Sequence, residues 1–178
     1  PYLGDRPDVS PYIERLAKHP ADFIVVAGYR SEAEEILRQS RARGVNVPIM
    51  GGDGLEQIEQ GGILAEGVYV TAAYSPEIST PANRHFVDAY TQRYPTGARP
   101  NQSAVGSYDA LHLLAQIIRK TGTDRRNIRN ALARIGNEDP AFAGVTRAIA
   151  FDSTGDLADQ HVFIGLVHNS RVIPAENQ

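Results

Sequence analysis

The chain has 178 residues, of which 42% are hydrophobic and 22% are charged, and its formal net charge is -3. This is the composition of an ordinary globular protein, and the near-balance of charges argues against nucleic acid or an anionic membrane surface as a partner. Because the sequence contains no cysteine, it can form no disulfide, no thiolate metal site and no cysteine nucleophile.

Alternating helices and strands are predicted in the first part of the chain. Ser10 is a suitable N-cap for a first helix, and the continuous apolar run over residues 23–28 is typical of a strand buried on both faces. Ser31 and Glu34 fit a capping box, which predicts a second helix that ends near Arg43.

Two further strands are predicted over residues 45–51 and 67–74, with a short helical turn between them. In a strand–helix–strand–helix–strand sequence, right-handed crossovers place the strands side by side and parallel. We therefore predict an α/β fold with a three-layer arrangement, in which helices flank a parallel sheet.

Only helices are predicted between residues 80 and 136. Thr80 caps the first, the second covers residues 103–120, and the third begins after Thr123. The residues expected to point inward on the second helix are Val105, Leu111, Leu114, Ile117 and Ile118. These helices have no strands beside them in sequence, so their apolar faces must pack on one another, on the one sheet, or on chain outside this sequence.

The last 40 residues return to a strand pattern. Residues 145–151 and 162–167 flank a polar stretch, and a further short strand follows at Val172. This spacing predicts an antiparallel hairpin or a small meander at the end of the chain.

Motifs for catalysis and cofactor binding are missing from the sequence. It has no dinucleotide fingerprint, no complete phosphate-binding loop and no Gly-x-Ser-x-Gly nucleophile motif, and its five histidines lack metal-ligand spacing. The acidic run over residues 152–156 lacks the later ligands of a calcium loop and is interpreted as a turn. We therefore expect a protein that is not an enzyme and that carries no cofactor or metal.

Two loops at predicted strand ends contain the strongest binding candidates. Ligands of open α/β sheets bind beyond the carboxyl ends of the strands, where Tyr29 follows the first strand and Asp53 follows the second. The tyrosine ring and hydroxyl, the carboxylate, and the free N–H groups of a helix starting at Ser31 together suit a small zwitterion.

Each candidate also has a purely structural interpretation. Asp53 between glycines is a common turn residue, and Tyr29 could pack on the neighbouring helix. Arg30, a further candidate beside Tyr29, fits a solvated surface charge, and Tyr108 is most simply a packing residue.

Four segments in order resemble the branched-chain amino-acid (leucine/isoleucine/valine type) solute-binding proteins of ABC transporters. They are PADFIVVAGYRSEAEEILRQSRARGVNVPIMGGDGL (residues 20–55), EGVYVTAAYSPE (66–77), GSYDALHLLAQII (106–118) and FAGVTRAIAFDSTGDL (142–157). The resemblance implies a type I periplasmic-binding fold, in which two α/β lobes joined by three crossovers close on a small ligand. It also implies an extracytoplasmic location, a membrane permease as the partner, and binding without chemistry.

The resemblance implies a role for individual residues as well. Tyr29 falls on a cleft tyrosine that contacts the ligand, and Asp53 falls where an acidic residue, usually Glu in the leucine binders, pairs with the ligand amino group. Ser103 falls near a first-lobe position that is aromatic in the leucine binders, so the identity of the ligand stays open. Tyr74, at a crossover, is a candidate at the mouth of the cleft.

The family members are roughly twice as long, so the resemblance assigns this chain to their second half. Residues 1–74 would belong to the second lobe, residues 75–140 to the helices of the first lobe, and residues 141–178 to a hairpin that returns to the second lobe. We therefore expect this chain alone to bind amino acids weakly or not at all. Its exposed apolar helix faces predict self-association, exchange of elements between copies, or pairing with a segment outside this sequence.

Two functions are compatible with this fold. The first is capture of a small polar ligand, an amino acid or an analogue, for delivery to an ABC transporter. The alternative is a ligand-sensing ectodomain of a receptor or signalling protein. Sequences fused to the domain would distinguish the two, because transport and sensing differ in what the domain is attached to.

Overall fold

A computed structural model describes residues 8–19, 21–72, 74–96, 99–159 and 162–175. The chain divides into two compact units. Unit 1 contains Pro1–Ala73 and Val162–Gln178, and unit 2 contains Tyr74–His161. The boundary predicted at residue 140 thus falls within unit 2, and the chain re-enters unit 1 at Val162.

Five α-helices and seven strands make up the described part of the chain. In chain order they are α1 (Ser10–Lys18), β1 (Ile24–Val26), α2 (Arg30–Ala42), β2 (Ile49–Gly51), β3 (Val68–Ala72), α3 (Pro81–Arg93), α4 (Gln102–Thr121), α5 (Arg125–Arg134), β4 (Phe142–Ala143), β5 (Ala148–Ile149), β6 (Phe163–His168) and β7 (Arg171–Pro174). Two 3-10 helices, Asp53–Leu55 and Ile58–Ala65, connect β2 to β3. None of these helices is both long and apolar enough to cross a bilayer.

Unit 1 is built on a five-stranded mixed sheet with the order β1-β2-β3-β6-β7. The first three strands are parallel, as predicted, with Val25 beside Met50 and Met50 beside Tyr69. The closing hairpin β6–β7 adds to β3 in the antiparallel direction. The predicted antiparallel hairpin at the end of the chain is confirmed as β6–β7, whereas a meander that includes residues 145–151 does not form, because β5 lies in unit 2 and pairs there with β4.

One face of this sheet carries the core of unit 1. Val26, Ile49, Val68 and Val167 pack there with Leu37 of α2. Val25 alternates to the opposite face, where it is 64% exposed. The prediction that residues 23–28 are buried on both faces is therefore wrong, because β1 is a three-residue edge strand with only one face against the core.

Helix α2 begins two residues earlier than its sequence pattern predicted. Tyr29 is the N-cap, and its backbone N–H donates to Glu32 Oε2 at 3.0 Å. Glu34 pairs with Arg30 instead of closing the predicted capping box with Ser31. The carboxylate of Glu32 thus occupies the N–H of the N-cap residue and places a negative charge in the first turn, where we expected a ligand anion.

Unit 2 consists of three helices and the small β4–β5 sheet. The predicted N-cap Thr80 is confirmed, since its hydroxyl accepts from Asn83 N at 3.1 Å. Asn101 caps α4 in the same way, through Ala104 N at 2.9 Å. Tyr74 and Phe86 belong to one core cluster of this unit, and a second cluster forms where α4 meets α5.

A strip of apolar side chains on α4 is exposed to solvent. Val105 and Ile117 are buried as predicted, but Leu111 is 68% exposed, and Leu114 and Ile118 are also exposed. The inward orientation predicted for these three residues is wrong within the described structure, because the second core cluster lies on a different side of α4. The self-association expected from such faces stays a prediction.

Candidate functional site

The loops after β1 and β2 lie side by side at the carboxyl edge of the sheet. The two strands are parallel neighbours, so the residues that follow them leave the sheet at the same edge. A Cβ atom built on Gly54 would lie 2.4 Å from the carbonyl oxygen of Gly28 and 3.7 Å from Cδ1 of Tyr29. The structure therefore brings the Asp53 loop into direct contact with the Tyr29 loop.

Tyr29 presents its side chain to solvent at this edge. It is 73% exposed, an unusual position for a large aromatic side chain, and its backbone is fixed as the N-cap of α2. A helix start holds the position of the residue without burying its ring. The tyrosine is thus placed to cover a ligand with its ring or to hydrogen-bond through its hydroxyl.

Asp53 opens the 3-10 helix that follows β2. The position of its backbone is fixed, because Leu55, two residues later, is fully buried and packs directly against Gly51. The Asp53 side chain is exposed, and within the described residues its carboxylate has no hydrogen-bond or ion-pair partner. An unpartnered carboxylate on a loop that contacts the loop of an exposed aromatic residue is suited to a cationic group such as an ammonium.

Arg30 turns away from this pair, toward the second 3-10 helix. Its Nη1 donates to Gln60 Oε1 at 2.7 Å, and its Nε lies 3.3 Å from Glu34 Oε1. With these partners Arg30 links α2 to the chain between β2 and β3. Its predicted contact with a ligand stays untested.

The other two sequence candidates lie in unit 2. Ser103 is exposed in the first turn of α4. Tyr74 is only 5% exposed, and its hydroxyl donates to Oδ1 of the fully buried Asn83 at 3.0 Å. Burial raises the pKa of the Tyr74 hydroxyl to about 12. In this unit Tyr74 acts as a packing residue, and a role at a cleft mouth stays a prediction.

We expect Tyr74→Phe to destabilise unit 2 by about 1 kcal/mol, because Asn83 Oδ1 would lose its donor in a buried position. Because the pKa of Tyr74 is raised, its contribution to stability also depends on pH. The folded state holds the phenolic proton more tightly than the unfolded state, so this contribution falls as the pH rises from about 10 toward 12. Thermal unfolding of the wild-type chain and of Tyr74→Phe at neutral and alkaline pH measures this stability difference. Tyr94→Phe, at an exposed tyrosine, is the control. Equal effects of the two substitutions would contradict the prediction.

Sequence reasoning missed two residues at the edge that carries Tyr29 and Asp53. Gly54 allows the close approach of the two loops, and Thr71 of β3 lies beside Gly52, with Oγ1 3.9 Å from the Cβ position there. The rule that identified Tyr29 and Asp53 also applies to the end of β3, so it could have pointed to Thr71. The contact of Gly54 joins positions that are 26 residues apart, and no local pattern marks it.

Comparison with known proteins agrees with this architecture. The family model described as periplasmic binding protein matches residues 1–169. The chain belongs to this family. The Leu/Ile/Val/Thr-binding protein of Salmonella typhimurium is 38% identical over 96 residues, which is 51% of this chain and 26% of that protein.

Solved structures of the family superimpose on nearly the whole chain. A leucine binding protein from Thermotoga maritima matches with a TM-score of 0.82 and 30% identity over 97% of this chain and 48% of that one. A branched-chain amino acid transporter substrate binding protein from Streptococcus pneumoniae, solved with isoleucine, matches with a TM-score of 0.83 and 26% identity over 96% and 48%. The predicted resemblance and α/β fold are confirmed, and the chain spans about half the length of these structures.

Proposed function

We propose that this chain forms part of an extracytoplasmic protein that captures an amino acid or a similar small polar molecule and delivers it to an ABC transporter permease. The observation that carries the proposal is the exposed, unpartnered carboxylate of Asp53 on a loop whose Gly54 packs against the Tyr29 loop, at the edge where open α/β sheets bind ligands. The family relatives named above are binding proteins, and one of the structures contains isoleucine.

Within this proposal each residue has one task. Asp53 pairs with the ligand ammonium, and Tyr29 covers the ligand and excludes water from that ion pair. Thr71 offers a further hydroxyl beside Gly52. No bond is made or broken, so affinity depends on how well the ammonium is neutralised and how far water is excluded. Arg30 is proposed to stiffen the Tyr29 loop through its contacts with Glu34 and Gln60.

The contact between Asp53 and the ligand ammonium is tested by removing the charge from the protein or from the ligand. We expect Asp53→Asn to weaken binding of a free amino acid at least about tenfold, because a charge-assisted contact is lost. Leucine and its N-acetyl derivative are the probes, since acetylation removes the ammonium charge and leaves the side chain and carboxylate. Because we expect weak binding by this chain alone, amide chemical shifts in NMR titrations are the measurement.

Asp22→Asn is the matched control, since Asp22 is an exposed aspartate that precedes β1, at the other end of the strand. It should leave the titration unchanged. Equal binding of leucine and N-acetyl-leucine, or equal effects of the two aspartate substitutions, would overturn the assignment of Asp53.

A further inference from the structure

Unit 2 contains an open groove that the proposed amino-acid site does not use. It has a volume of about 440 Å³ and lies between α3, α4 and the segment that begins with β4. This volume falls within the range of roughly 300–1,000 Å³ in which small molecules bind to proteins. All of its lining residues belong to unit 2, so the groove is complete within that unit.

One wall of the groove is a row of side chains on α4. Tyr108, His112, Gln116 and Arg119 follow one another at spacings of four, four and three residues, which places them on one side of the helix. The row therefore changes along the helix from aromatic through polar to cationic. Its length is about 16 Å between the first and last Cα positions, and the arginine side chain leans back toward the helix N-terminus, which shortens the open span.

Aromatic rings form the apolar end of the groove. The ring of Tyr108 lies 5.0 Å from that of Phe86 and 4.3 Å from that of His112, measured between centroids. Phe142 and Val145 extend this surface from the other side. A flat apolar body can stack on such a platform at ordinary ring separations.

The opposite end is positively charged and lacks anions. Arg119 and Lys120 are exposed in the last turn of α4, and neither forms an ion pair with a carboxylate in the described part of the chain. The one acidic lining residue is Asp109, and both of its carboxylate oxygens accept from Val145 N, at 3.0 and 3.1 Å. The groove therefore presents cations whose charge no lining residue is free to neutralise.

We propose that this groove binds a small aromatic carboxylate. The acid group meets Arg119 and Lys120, and the ring stacks between Tyr108, His112 and Phe142. Charge complementarity selects an anion over a neutral molecule, and the aromatic platform selects a flat organic body over a simple inorganic ion. The site is separate in chain and unit from Tyr29 and Asp53, so it is a second ligand site and does not depend on the amino-acid proposal.

The probe is 4-phenylbutyrate, titrated into the full chain and followed by amide chemical shifts. We expect shifts centred on α4 and β4, and about tenfold weaker binding for the neutral 4-phenylbutyramide, because two partly exposed charge contacts are lost. The double variant Arg119→Gln/Lys120→Gln should weaken 4-phenylbutyrate to a similar extent. His112→Ala should weaken both probes, because it removes part of the aromatic platform.

The matched control is Arg125→Gln/Arg126→Gln, which removes the same charge from the exposed first turn of α5, outside the groove. Asp53→Asn tests the independence of the two sites, and both controls should leave binding unchanged. The proposal is overturned if 4-phenylbutyrate does not bind, if acid and amide bind equally, or if the two double variants act alike. Displacement of the probe by inorganic phosphate at equal concentration would show that the anion alone is recognised, which also overturns it.

Discussion

Replacing Gly54 by alanine will destabilise unit 1 and disturb the candidate amino-acid site at the same time. The added methyl group would lie 2.4 Å from the carbonyl oxygen of Gly28, and a backbone atom cannot rotate away as a flexible side chain can. Forcing such an overlap costs about 1–3 kcal/mol, because neighbouring backbone must shift to relieve it. The shift moves the Asp53 loop away from the Tyr29 loop.

Gly52→Ala provides a matched control one residue before Asp53. Its backbone has an ordinary φ of -83°, and the nearest atom to the added methyl is Thr71 Oγ1 at 3.9 Å. This substitution should leave the free energy of unfolding unchanged or raise it by about 0.4–1 kcal/mol through the unfolded chain. Chemical denaturation of both variants, with amide shifts of Gly28 and Tyr29 as the local readout, gives the comparison. Similar losses of stability would contradict the packing argument.

Features that depend on neighbours in sequence could be predicted from the sequence. The hydroxyl of Thr80 reaches a donor three residues away, so its N-cap role follows from a local motif. The parallel order of β1, β2 and β3 follows from the length of their connections and from the handedness of crossovers. Tyr29 and Asp53 could be placed at one edge for the same reason.

Features that depend on contacts distant in sequence could not be predicted from the sequence. Val25 and Leu111 have the composition of core residues, but their exposure is decided by which element packs on them. The predicted start of α2 is wrong because two glutamates compete for the first turn, and Glu32 rather than Glu34 reaches the N-cap backbone. Arg30 lines up with the candidate site in sequence and yet pairs with Gln60, 30 residues away.

Replacing Asp109 is expected to lower the stability of unit 2, because its side chain hydrogen-bonds α4 to the segment after β4. It is only 7% exposed, and its carboxylate accepts from Val145 N with both oxygens. The contact is tight, since a Cβ on the neighbouring Gly144 would lie 2.7 Å from Asp109 Oδ2. Asp109→Ala leaves the Val145 N–H buried without this acceptor, so we expect unit 2 to lose about 1–3 kcal/mol of unfolding free energy.

Asp109→Asn separates the hydrogen bond from the charge. The asparagine oxygen can still accept from Val145 N, but the side chain carries no charge to desolvate. Burial raises the pKa of the Asp109 carboxyl above its ordinary value. The folded state thus binds this proton more tightly than the unfolded state, and the contribution of Asp109 to stability falls as the pH rises through the interval between the two pKa values.

The difference in stability between Asp109→Asn and the wild-type chain isolates that contribution, because every other carboxylate titrates in both proteins. We expect this difference to shift in favour of asparagine as the pH rises from acid to neutral, and Asp88→Asn, an exposed aspartate on α3, to show no such trend. Thermal unfolding across this pH range gives both curves. A difference that is independent of pH, or that favours aspartate increasingly toward neutral pH, would mean that desolvation does not dominate at Asp109. In that case the hydrogen bonding of the Val145 N–H to both carboxylate oxygens, together with the nearby charges of His112 and Arg147, would equal or exceed the cost of burying the carboxylate.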